Sequence, residues 1–199
     1  MFQTIKYFNF KSFLRLIALV LVLYYFFLGY GALVSPEGKQ YSAFLDHNLN
    51  FIDWFRRTIM LFSNTIAHAF GANSYIASHQ TMKLGNNIEF IIWFPCLGFG
   101  VMSFWISFVV NSTSSLKRKF TWATLGIVAI WFINCIRIAL LIISVDRNWP
   151  QSSYIDHHDM FNVMAYIIIA VLMYYYSKNE RQEMIATNQP MYPGIKILS

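Results

Sequence analysis

Three kinds of side chain able to cooperate in acyl transfer lie beside apolar runs in separate parts of the sequence. They are Cys96 in Pro95-Cys96-Leu97-Gly98, Arg137 in Asn134-Cys135-Ile136-Arg137, and the pair His157-His158 between Asp156 and Asp159. A thiolate attacks a peptide carbonyl, a histidine with a carboxylate neighbour moves protons near neutral pH, and a guanidinium holds the oxyanion or the substrate. Each residue also has a plainer reading. A membrane cysteine commonly packs as a small hydrophobe, and that reading is kept for Cys135. Cys96 differs because proline favours the first turn of a helix. A helix is therefore expected to begin at Pro95 after an extended Ile88 to Phe94 stretch, with Cys96 in its first turn. A helix N-terminus favours the nucleophilic thiolate. Gly98 and Gly100 suit close approach of a substrate backbone, or else helix packing.

Arg137 is harder to assign to packing, since an arginine at the centre of a span costs about 2.5–3.5 kcal/mol on insertion scales. Its plainer alternative is snorkelling to the outer head groups. Asn134 lies three residues earlier on the same helical face, placed to bond the guanidinium, a substrate peptide or a neighbouring helix. Loop histidines are often simply solvated. Other chemistries lack their residues: there is no His-Glu-x-x-His or Cys-x-x-Cys pattern for zinc, and His68 and His79 lie in segments of uncertain position. No aspartate falls inside a confident span, which argues against an aspartyl intramembrane protease, and no Gly-x-Ser-Gly motif supports a serine one.

The elements that must position these residues follow from composition. The chain has 199 residues, 57% hydrophobic, 19% aromatic and 12% charged, whereas a soluble domain carries about 25% charged residues. Most of the length is therefore expected in membrane segments, with no room for a separate soluble catalytic domain. The net charge of +6 sits in short clusters beside apolar runs, which fits membrane topology better than nucleic-acid binding. Both cysteines fall in apolar runs, so no disulfide framework is expected.

Four spans are expected. Phe13 to Leu33 reads as a retained signal anchor, Ile88 to Val110 as an apolar run broken at Pro95, Trp122 to Val145 as the clearest span, and Met160 to Tyr176 as the last. Ile52 to Phe70, with Arg56 and Arg57 near its start, reads as an interfacial amphipathic helix or a re-entrant segment, with a full crossing as second choice. Ser35 to Asn50, Ala72 to Asn87, Asn111 to Lys119 and Asp146 to Asp159 read as loops. The fold class is thus an all-α, polytopic membrane helix bundle: one domain over 1–199, a motif-bearing core over 88–177 and a cytoplasmic tail over 178–199. Basic residues mark cytoplasmic loops, placing the N-terminus, Lys117-Arg118-Lys119 and the tail inside. Arg137, eight residues before Val145, then lies about 12 Å from the outer end of its span. Cys96 and His158 lie near the outer starts of theirs.

With those residues in place, the chain resembles the exosortase/archaeosortase family of integral membrane cysteine transpeptidases. The resemblance rests on Pro95-Cys96-Leu97-Gly98, Asn134-Cys135-Ile136-Arg137-Ile138 and His158-Asp159-Met160-Phe161, and it covers Ile88 to Tyr176. It implies Cys96 as nucleophile, Arg137 as the positioning or oxyanion-stabilising residue and His158 as general acid/base, with Asn134, Gly98, His157 and Asp159 in support. The adjacent His157 is the alternative acid/base. It also implies a substrate class: exported proteins whose C-terminal sorting signal joins a short motif, a hydrophobic helix and a basic tail. Cleavage would fall at the outer face of the plasma membrane. Two positions depart from the family pattern, Leu97 for a small residue and Asn162 for a glycine, which bears on subfamily and recognised motif.

Thiol acyl transfer requires neither metal nor organic cofactor, so neither is expected. Expected partners are the exported proteins and the lipid bilayer. The principal alternative is a non-enzymatic membrane subunit of an envelope polysaccharide or secretion system, in which Arg137 pairs with a partner's carboxylate. A small transporter using Arg137 as an anion site is disfavoured by the lack of inverted repeats.

Overall fold

The computed structural model describes residues 10–36, 40–85, 88–147, 149 and 157–186, the last of these with side chains at 163, 166–173 and 174–179 only. Six α-helices and a small sheet make up the described residues. In chain order they are α1 (Phe10–Val34), α2 (Ala43–Leu49), α3 (Phe51–Ala69), β1 (Ser74–Ile76), β2 (Thr81–Leu84), β3 (Glu89–Ile91), a 3₁₀ turn (Phe94–Leu97), α4 (Phe99–Asn111), α5 (Leu116–Asp146) and α6 (His157–Ala186).

Beyond Lys11 and Arg15 in its first turns, α1 is apolar around its whole circumference. Leu14, Leu21, Val22 and Phe26 are exposed, and Val34 is its one buried residue. Such a helix has no wet face and suits hydrocarbon as solvent. α1 and α5 are long and apolar enough to cross a membrane, while α4 is an apolar helix of 13 residues, about 20 Å at 1.5 Å per residue.

α3 is one uninterrupted amphipathic helix. Its buried stripe, Ile52, Ile59, Met60, Ser63 and Ala67, keeps to one helix face through separations of three, four and seven residues. Asn50 caps it by accepting a hydrogen bond from the Asp53 amide at 2.9 Å. The stripe lies along α5: Trp131 Nε1 donates to Thr58 Oγ1 (3.1 Å), Ser63 Oγ to the Cys135 carbonyl (3.0 Å) and the Arg147 guanidinium to the Phe70 carbonyl (2.6 Å). Rising residue numbers meet rising residue numbers, so α3 and α5 run parallel.

α4 runs the other way. Asn134 reaches Leu97 at one end, and at the other the Trp105 indole donates to the Trp122 carbonyl at 3.1 Å. Trp105 is fully buried, and a Cβ at Gly126 would overlap its indole, so that glycine is what admits the ring. α1 antiparallels α4 from Phe27 stacked on Phe99 to Ser12 bonded by Asn111. Tyr176 of α6 packs on Trp105 and Phe108. Tyr166 and Ile169 lie with Gly98 and Phe99, so α6 runs parallel to α4.

One part of the all-helical expectation is corrected. Ser74 to Ile91, read mainly as a polar loop, forms a three-stranded antiparallel sheet in the order β1-β2-β3. Met82 and Leu84 alternate with Thr81 and Lys83, and both are fully buried, a period-two pattern too short to stand out from a loop. The sheet is moored to α3 by Ser74 Oγ donating to Asn64 (2.7 Å) and by His79 paired with Asp53 (3.1 Å). Lys83 faces Glu89 across β2 and β3 with Nζ 2.6 Å from the carboxylate, and that carboxylate raises the ammonium pKa above its ordinary value.

Helix boundaries also differ from expectation: α2 occupies part of Ser35 to Asn50, read as a loop, and α6 continues to Ala186, ten residues past Tyr176 and into the expected tail. α6 begins at His157, so both histidines fall in its first turn and not in the preceding loop, and α5 starts at Leu116 and takes in Lys117 to Lys119.

Candidate active site

The chain leaves β3, passes through extended Trp93, and turns once in a 3₁₀ helix with Pro95 near its start. Cys96 is the third residue of this turn, with its amide bonded to the Trp93 carbonyl at 2.9 Å. The expected extended approach and proline-led turn are both present. The helix that follows, however, begins only at Phe99, so Cys96 precedes α4 by a turn of its own.

Gly98 joins the 3₁₀ turn to α4. Its φ of +76° lies in the left-handed region, where a side chain costs about 1–2 kcal/mol. It is needed for a second reason: a Cβ there would overlap the Asn134 amide nitrogen. That amide, buried on α5, donates to the Leu97 carbonyl at 3.1 Å. Asn134 thus makes the helix-to-helix bond among its three expected possibilities and ties α5 to the turn that carries the thiol. Gly98 serves this approach, while Gly100 opens onto Tyr24 of α1.

Cys96 is half-buried and Cys135 fully buried. The difference leaves Cys96 partly exposed and Cys135 packed, the latter in keeping with the packing reading of that residue. Three residues beyond Asn134, Arg137 lies half-buried on the same helix. Cys96 and Arg137 line one cavity of about 160 Å³, together with Phe90, Ile91, Ile92, Trp93, Ile138 and Leu141. Arg137 is the one formally charged residue among these. Sequence reasoning missed the contribution of Phe90 to Trp93; the signal was the extended apolar run itself, which abuts Pro95.

A larger groove of about 550 Å³ lies on the other side of the 3₁₀ turn. Its walls come from α1, α4 and α6, with Tyr24, Pro95, Gly98, Phe104, Tyr166 and Ile169 among the lining residues.

The side chains of His157, His158 and Asp159 lie outside the described residues, as does the loop before them. Their backbone opens α6, and since α6 parallels α4, this first turn lies towards the end of the bundle that carries Cys96. It is eight residues, about 12 Å of helix, beyond Tyr166. Among the described residues no cluster of histidine, cysteine and carboxylate side chains is suited to a metal ion. No family model matches the chain, nor does any curated protein or solved structure.

Proposed function

We propose that the chain is a membrane-embedded cysteine peptidase or transpeptidase that cleaves C-terminal sorting signals of exported proteins. The observation that carries this reading is the meeting of Cys96 and Arg137 in one small, otherwise apolar cavity. They come from segments about forty residues apart, and a reachable thiol beside a guanidinium is the pairing that acyl transfer uses.

Depth supports the placement. With the basic run Lys117 to Lys119 at the cytoplasmic boundary, Arg137 lies eighteen residues further along α5 than Lys119. At 1.5 Å per residue this is about 27 Å, close to the thickness of a hydrocarbon core of about 30 Å. The cavity then sits at the outer interface, with β3 forming one of its walls. Counted from Lys119, Arg137 therefore lies nearer the outer surface than a span ending at Val145 implies, and the last nine residues of α5, to Asp146, project about 14 Å further. The four-span topology, with α4 as a short crossing and α3 rising obliquely beside α5, belongs to this same reading.

In the reaction, the Cys96 sulfur adds to the scissile carbonyl carbon. Arg137 stabilises the resulting oxyanion. His158, by resemblance, takes the Cys96 thiol proton as the sulfur attacks and gives it to the departing amine as the C–N bond breaks, leaving a thioester on Cys96. Water or an acceptor amine then attacks the thioester, the histidine takes the nucleophile's proton, and the thiol is regenerated. The apolar groove beside Pro95 and Gly98 offers the substrate's hydrophobic segment a place next to the nucleophile.

The test compares C-terminal peptides of exported proteins from cells carrying the native chain, Cys96→Ala or Cys135→Ala at equal expression. Unprocessed proteins retaining a C-terminal apolar helix should accumulate with Cys96→Ala alone. Normal processing in that strain removes the acyl-transfer reading.

A further inference from the structure

β3 is an edge strand, and its pairing assigns each backbone group a direction. Ile92 donates to the Gln80 carbonyl (2.7 Å) and Leu84 donates to the Ile88 carbonyl (3.0 Å). With Met82 opposite Phe90, the even-numbered residues 88, 90 and 92 turn their N–H and C=O groups towards β2. By the alternation of an antiparallel ladder, Glu89 and Ile91 turn theirs outward, and the Trp93 N–H follows. The outward groups of Glu89 and Ile91, and the Trp93 N–H, have no hydrogen-bond partner among the described residues. Such a row is a template for another chain.

The row borders the cavity. Successive side chains of a strand point to opposite faces, yet four consecutive residues, Phe90 to Trp93, line the space that holds Cys96 and Arg137. A cavity touches four consecutive residues of extended chain by running along the backbone edge. The edge also leads to the nucleophile, which follows Ile91 by five residues.

Direction follows from the mooring of the sheet. β1 and β2 turn beside Asp53 near the start of α3, through His79, while Ser74 sits beside Asn64 further along. β3 pairs antiparallel with β2, so it runs from the level of the α3 C-terminus towards that of its N-terminus. In the proposed orientation this is a descent from the extracytoplasmic side towards the membrane. An exported protein with a C-terminal membrane helix approaches in the same sense.

From this we infer that the segment preceding the scissile bond binds as an added strand, parallel to β3, on the outward edge of Glu89 and Ile91. This addition delivers its carbonyl to Cys96. The inference rests on the peptidase reading above. Backbone pairing supplies affinity here, and the exposed Ile91 and Trp93 side chains supply contacts to alternate substrate residues.

The experiment sets Ile91→Pro against Ile91→Val in the full-length chain, with processing of exported proteins followed by pulse-chase. Proline removes the outward N–H without touching the bonds to β2, a position that edge strands tolerate. Processing should be about tenfold or more slower with Ile91→Pro than with Ile91→Val, which keeps the outward N–H and carries any effect of the altered side chain, on the scale of one lost peptide hydrogen bond. Equal rates in the two variants overturn the strand addition while leaving the peptidase reading intact. Cys96→Ala, run alongside, tests that reading by itself, since unchanged processing there removes both. A photocrosslinking amino acid at 89 or at 91, in the Cys96→Ala chain, decides the matter independently of whether proline is tolerated. Crosslinks should fall just ahead of a C-terminal apolar helix, and those from 89 should lie further from that helix than those from 91. The reverse order, or no crosslink to that segment, overturns the inference.

Discussion

Replacing Gly98 with alanine perturbs the joint between the Cys96 turn and α4 in two ways whose costs can be separated. The φ of +76° charges a side chain about 1 kcal/mol at the lower end of its range. The new Cβ also displaces the Asn134 amide, which breaks the 3.1 Å bond to the Leu97 carbonyl. That loss, with a buried acceptor left bare, is worth about 2 kcal/mol. Gly98→Ala should therefore cost about 3 kcal/mol, and Asn134→Ala about 2 kcal/mol through the hydrogen bond alone. The bond can be lost only once. The double variant should accordingly cost about 3 kcal/mol and not the additive 5, a coupling of about 2 kcal/mol. For a chain of this size 3 kcal/mol is a melting shift of about 6–12 °C. The assay is thermal unfolding of the detergent-solubilised chain in a Cys96→Ser background, read by a fluorogenic thiol dye as buried Cys135 becomes exposed. Additive costs across the four chains would refute the claim that Gly98 and Asn134 act through one contact.

Other consequences follow from the same geometry. Removing a group that stabilises an oxyanion typically costs 10²- to 10³-fold in rate, so Arg137→Gln should slow processing by about that much per folded chain, the folded fraction being read by thermal unfolding. Loss of fold with no separate loss of rate would make Arg137 structural. A water-soluble maleimide should label the native chain once, at half-buried Cys96, and twice after unfolding, because Cys135 is closed off; mass spectrometry of the labelled peptides distinguishes the two, and native labelling at Cys135 would contradict the packing. Gly126→Val should force Trp105 out of its site and off the Trp122 carbonyl, an overpacking cost of about 1–3 kcal/mol. A melting temperature equal to native would show that the α4–α5 contact is looser than described.

What the sequence disclosed depended on the length of each signal. The long apolar runs that became α1 and α5 were legible because a continuous apolar stretch near twenty residues has few other readings. The turn at Pro95 was legible because proline punctuates. Met82 and Leu84, by contrast, alternate over a single four-residue strand, too short to separate from a polar loop until the partners that bury them are known. The role of Asn134 was open among three partners, since a side-chain amide bonds whatever the fold brings near. Only the position of Leu97 decides it. The pairing of Gly98 with that amide is a relation between two helices, and one helix's sequence does not contain it.

The most direct test of Cys96 as nucleophile uses purified full-length chain in lipid vesicles, mixed with a precursor protein that accumulates in the Cys96→Ala strain. The native chain should cleave the precursor and, on acid quench, carry a hydroxylamine-labile acyl group on the Cys96 peptide, while the Cys96→Ala chain should do neither. Cleavage at the native rate by the Cys96→Ala chain would contradict the account at its centre.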